Sequence, residues 1–359
     1  APDNVLYQGW VLGAAVLVAA GAAAGWPVSA DDYRLGVAVI IAAIAAAIPR
    51  IPIDLRLWAG AGLAYWAFIL LAEAAQLNGD IYASSIAAAG LALVAAGVLV
   101  PGRTGGHLAA IGHVAALSAF AFGPAGWWLV AVLAGWTAGW VAEVVTEDRS
   151  PLQRLGGAEV PADDVSWVQA TVLAVSVPVL AAFTALEIWP EAEFAALTWT
   201  AAALGVGYAA FAGWVKIRPR LGEVAAIGSI ALTMAAVGVS FSGFDLLVAS
   251  DRVLQMGALA SGILAVALVG RLRRLWMQWY AWFMSLQLTV VAAMAFGVQE
   301  VDAYWALIGW GSGALIGSLA VDELRSGPRA SLTVVREARL WPPFVLGAIA
   351  AVAGVGTGL

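Results

Sequence analysis

Apolar runs close to the length that crosses a bilayer recur along the whole chain, near residues 10–26, 35–49, 57–77, 81–100, 107–122, 126–145, 166–188, 194–215, 222–243, 253–270, 276–297, 303–321 and 341–358. A hydrocarbon core about 30 Å thick needs about 20 apolar residues in helical form. Lipid offers no partner to backbone N–H and C=O groups, so each run must close its own hydrogen bonds. The runs are continuously apolar rather than alternating, which favours helices over a barrel. The fold class expected is therefore an all-α polytopic integral membrane protein, with about 13 transmembrane helices arranged as hairpins.

Composition agrees. The chain has 359 residues, of which 63% are hydrophobic and 11% charged, against roughly 25% charged in soluble domains. So few charges cannot cover a water-facing surface. A soluble enzyme, a nucleic-acid binder and a disordered chain are excluded. There is no cysteine, and His107 and His113 are the only histidines, so thiolate and histidine-built metal centres are excluded and no metal or cofactor is expected. Arginine outnumbers lysine sixteen to one, the mark of a GC-rich, prokaryotic genome.

Charge sets an orientation. Loops after even-numbered runs hold 15 of the 17 basic residues, and only Arg34 and Arg252 fall in loops after odd-numbered ones. The odd loops are short and acidic, with Asp31, Asp32, Asp80, Glu187, Glu191, Glu193, Asp245, Asp251, Glu300 and Asp302. Cytoplasmic loops retain arginine and lysine. The expected location is the cell membrane, with the N-terminus and even loops cytoplasmic and the C-terminus outside. Tryptophans at run ends, such as Trp58, Trp127, Trp214 and Trp341, suit the headgroup belt. Trp276, Trp279, Tyr280 and Trp282 form a denser cluster that could cage an aromatic substrate.

The runs group into an N-terminal membrane bundle of about six spans over 1–145, a cytoplasmic linker over 146–165, and a C-terminal bundle of about seven spans over 166–359. Arg56-Leu57-Trp58, Arg274-Leu275-Trp276 and Arg339-Leu340-Trp341 open three helices alike, a pattern produced by duplication or by a shared interfacial anchor. Residues 331–340 suit an interfacial helix or a solvated loop. Pro178 should kink its helix.

Ionisable or strongly polar side chains inside spans are functional candidates, because hydrocarbon penalises them. They are Glu73, His113, Glu143 and Gln287, read together as a candidate substrate pathway. No carboxylate among them sits at mid-span, which disfavours a charged substrate or a proton relay. Gly309, Gly313 and Gly317, with Gly135 and Gly139, have the GxxxG spacing of close helix packing.

Three function classes follow. A carrier or permease for a neutral or amphipathic substrate is favoured. A non-catalytic membrane scaffold or subunit is the second, with a membrane-protein partner or a homo-oligomer as its assembly. The third is an enzyme: Asp31-Asp32-Tyr33 in the first outer loop resembles multi-span lipid-sugar-dependent glycosyltransferases. That resemblance implies an acidic base at Asp31 or Asp32, and the short loop departs from the family's substantial external structure. No catalytic residue is otherwise indicated, and no nucleic-acid partner.

Overall fold

The computed structural model describes residues 56–58, 60–62, 65, 77–146, 150–156, 162–214, 219–242, 249–296, 301–327 and 335–358. The expected runs at 10–26 and 35–49, with Asp31 and Asp32, lie outside these residues, and the run at 57–77 is described only in part. Among the described residues the regular structure is all helix, without a strand. Ten helices there are long and apolar enough to cross a membrane, and they coincide in order with the remaining ten expected runs.

The helices are α1 (Gly79–Leu99), α2 (Gly102–Ser118), α3 (Gly126–Val145), the short α4 (Pro151–Gly156), α5 (Ala162–Ile188), α6 (Glu193–Trp214), α7 (Pro219–Ser242), α8 (Ala249–Val269), α9 (Leu275–Phe296), α10 (Val301–Ser326) and α11 (Trp341–Gly358). Two compact units divide the chain, Ala1–Val165 and Ser166–Leu359.

In the first unit α1 and α2 form an antiparallel hairpin. Asn78 caps α1 by accepting from the Asp80 N–H at 3.0 Å, and Asp80 Oδ1 accepts from the Ala125 N–H at 3.1 Å, tying the starts of α1 and α3 together. The chain turns between α1 and α2 at Pro101 and Gly102, whose φ of 73° suits glycine. The hairpin backbones touch: a Cβ on Gly90 would lie 2.6 Å from the Gly112 carbonyl oxygen, and one on Gly97 2.7 Å from that of Gly105. α3 packs on α1, and Tyr82, Ala83, Ile86, Ala87, Ala119 and Val132 form the core there.

In the second unit α6, α7 and α8 pack mutually around Ala209, Ala212, Ala225, Ala226, Ala265 and Val269. α9 joins them through Met277 and through Tyr280, whose hydroxyl donates to Thr233 Oγ1 at 2.9 Å. α10 and α11 form a second tight hairpin beside α9. The close approach there is at Gly311, where a Cβ would meet the Ala351 nitrogen at 2.5 Å. Gly309, Gly313, Gly317 and Gly135 have no described atom within 4 Å of an added Cβ. The GxxxG stripe on α10 thus lies off the face that meets α11. Pro178 lies within α5, which continues as one helix to Ile188.

Two loop expectations change in detail. α10 runs to Ser326, past the expected end at 321, so Asp322 is a helical and fully buried residue rather than part of a solvated loop. The segment 146–165 contains α4 and the start of α5. Of the residues considered for an interfacial helix, 331–334 lie outside the described set, and Ala338–Leu340 form a short 3-10 turn leading into α11.

Candidate functional site

His113 and Glu143, separate candidates in the sequence, come together in the first unit. His113 Nε2 lies 3.6 Å from Glu143 Oε1, with the Glu143 side chain fully buried and that of His113 nearly so. The imidazole stacks on Trp140 with ring centroids 4.2 Å apart. Gly139 makes the room: an added Cβ would lie 3.3 Å from His113 Cε1. Its part in the GxxxG step is therefore to seat a ring.

The second carboxyl oxygen of Glu143 faces the following loop. Ser150 Oγ donates to Glu143 Oε2, and the Leu152 N–H reaches the same oxygen at 3.4 Å. Both donors stand at the entry to α4, where helical N–H groups have no partner within the helix. α4 then lies against the start of α2, so that a Cβ on Gly106 would collide with Leu155 and with the Pro151 carbonyl. Arg154 Nη1 donates to the Val100 carbonyl at 2.7 Å and to that of Gly97 at 3.4 Å, capping the end of α1. Glu143 thus pins a loop, and His113 packs behind the pin.

Asp322 does the same in the second unit, and the sequence reading missed it. Its Oδ1 accepts from the N–H groups of Arg336 at 3.0 Å and Glu337 at 2.9 Å, and Arg336 Nε lies 3.6 Å from Oδ2. The available signal was an acidic residue close to an apolar run, which ordinarily marks a solvated helix end. Arg273 repeats the role of Arg154, donating to the carbonyls of Val266 and Ala267 at 3.1 Å each.

Gln287 is half-buried on α9, and its side chain forms no hydrogen bond among the described residues. Glu73 lies outside the described residues. The aromatic cluster on α9 does not close into a cage: Tyr280 turns inward to Thr233, Trp276 is exposed, and Trp282 meets Trp310 edge-on at 6.0 Å. Among the described residues no group of three or more metal-ligating side chains occurs.

A space in the first unit lies on the other side of α2 from His113. A cleft of about 550 Å³ is lined by Arg56, Leu57, Gly60, Ala61 and Tyr65, by Ser85, Ile86, Ala89 and Leu93 of α1, and by Leu108, Ile111 and Ala115 of α2. The described walls are apolar, and Arg56 is the one charged side chain among these residues. Trp58 Nε1 donates to His107 Nδ1 at 3.2 Å, holding the segment that carries Arg56 to the first turns of α2. A cavity of this size with few polar groups is the ordinary form of a small-molecule site. Comparison with protein families, with curated proteins and with solved structures finds no match to this chain.

Proposed function

We propose that the protein is a membrane carrier for an amphipathic substrate, which enters through the cleft between residues 56–65, α1 and α2. The observation that carries this reading is the cleft itself: about 550 Å³ of space with apolar walls and Arg56 in its lining. The buried ionisable pair is consistent with it. His113 and Glu143 serve the fold of α4, so the cleft is left with walls suited to an uncharged chain or ring. Of the two substrate classes expected, neutral or amphipathic, Arg56 favours the amphipathic one.

The test is flux of a fluorescent amphipath in liposomes containing the full chain, compared with liposomes lacking it. Ala89 is exposed on α1 and lines the cleft, so Ala89→Trp fills the space without entering the core. Flux should depend on the protein and fall sharply with Ala89→Trp; protein-independent flux, or an unaffected variant, would reject the carrier reading.

A scaffold role is the second reading. It rests on α10, where a Cβ added at Gly309, Gly313 or Gly317 would meet no described atom within 4 Å and Ile316 is 64% exposed. Native mass spectrometry of gently extracted protein separates the two, because a scaffold should retain a stoichiometric partner.

A further inference from the structure

The cleft has a direction. Close approach of Gly97 to Gly105 and of Gly90 to Gly112 fixes the register of the α1–α2 hairpin. In that register Leu93 stands level with Leu108, Ala89 with Ile111, and Ser85 and Ile86 with Ala115. The lining residues therefore form successive rungs along the helices. From Ser85 to Leu93, eight residue steps along α1 rise about 12 Å at 1.5 Å per residue.

The third wall follows the same axis. Trp58 is bonded to His107, next to Leu108, so Arg56 and Leu57 stand at the Leu93–Leu108 end. Tyr65 packs against the core cluster of Tyr82, Ile86 and Ala119, so it stands at the opposite end. The slot thus runs parallel to α1 and α2, with a guanidinium where α1 ends and α2 begins, and apolar rungs leading away from it. Helix ends lie near the membrane surface, and an apolar slot leading inward from a surface cation matches a lipid-like molecule in both polarity and orientation.

We infer that the cleft binds a single acyl chain bearing an anionic head group, the head at Arg56 and the chain running toward Ser85 and Tyr65. This inference rests on the carrier reading for the site and adds the ligand class and its pose. Arginine suits carboxylate and phosphate heads alike, because its guanidinium pairs with two oxygens at once. A single row of rungs between the described walls suits one chain rather than two.

The experiment uses the full chain in a non-ionic detergent and native mass spectrometry with three probes of equal chain length: palmitate, hexadecanol and hexadecyltrimethylammonium. Palmitate should bind at one equivalent and about tenfold tighter than the quaternary ammonium, a difference a single charge-assisted contact readily supplies. Arg56→Gln should bring the two within a factor of about two while Arg56→Lys keeps most of the preference, and Ala89→Trp should remove binding of all three probes. Equal or tighter binding of the ammonium probe to the native chain would overturn the head-group assignment. Saturable hexadecanol binding that is lost in Ala89→Trp, without preference for palmitate, would overturn it and leave the carrier reading standing. Tighter binding of a two-chain phosphatidylglycerol than of palmitate would overturn the single-chain assignment. Absence of saturable binding by every probe would sink both this inference and the cleft as an entry site.

Discussion

Replacing Glu143 by alanine should release α4 from the base of the first unit. The carboxyl group accepts from Ser150 Oγ and from the Leu152 N–H, the latter at a long 3.4 Å. Stranding a buried donor costs roughly 1–3 kcal/mol each. Taking about 1.5 kcal/mol for each, within that range, gives about 3 kcal/mol for the loss of both. Glu143→Gln keeps an oxygen that can accept both bonds and should cost only about 1 kcal/mol. The effect is local, because α4 is held by this carboxyl group, by Arg154 and by its packing on Gly106, whereas α1 to α3 share their own core. Hydrogen exchange of the 150–156 amides in nanodiscs reads it directly. A loss of about 3 kcal/mol raises opening by about a hundredfold in Glu143→Ala, with α1 and α2 amides unchanged. Exchange within about threefold of the native chain at 150–156 would refute the pin.

Asp322→Ala should act likewise in the second unit, freeing the Arg336 and Glu337 N–H groups and raising exchange at 335–340 by roughly a hundredfold, while Asp322→Asn keeps one acceptor and changes it less. Gly112→Leu should destabilise the α1–α2 hairpin by at least about 2 kcal/mol in denaturant titration, because its Cβ would meet backbone 2.5 Å away, whereas Gly135→Leu should leave stability within about 0.5 kcal/mol. Gln287→Leu should change stability by less than about 1 kcal/mol and leave amphipath flux intact, since the Gln287 side chain forms no hydrogen bond among the described residues. Loss of flux in that variant at unchanged stability would place Gln287 on the substrate path.

The ten described helices long and apolar enough to cross a membrane were legible because a bilayer dictates length and polarity residue by residue. The run from 81 to 100 and α1, for example, agree to within two residues at either end. His113 and Glu143 were legible as unusual, each being a polar group in an apolar run. Their meeting was not, because it depends on how far α3 is offset along α2 and on the gap left by Gly139. Asp322 was hidden for a related reason: an acidic residue at the edge of an apolar run reads as a solvated helix end until the chain folds back over it. The glycines make the same point. A four-residue spacing marks one face of α10, but which face meets α11 is decided by the hairpin, and it is Gly311 that touches. The cleft was invisible in the sequence because its walls are ordinary leucine, isoleucine and alanine. Only the arrangement of three helical segments leaves space between them.

The contact of Gly90 with Gly112 and of Gly97 with Gly105 limits how such a cleft can operate. Backbone lies on backbone at two points about 10 Å apart along α1, with no side-chain layer between to slide or repack. Two such contacts fix both distance and register, so α1 and α2 behave as a single plank. Any change in the width of the cleft would then have to come from the strip that bears Arg56, Gly60 and Tyr65, which faces that plank. Gly60 and Gly62, where an added Cβ meets no described atom within 4 Å, give that strip a smooth surface. The α1–α2 wall is thus the fixed side of the cleft, and the width of the space is set against it.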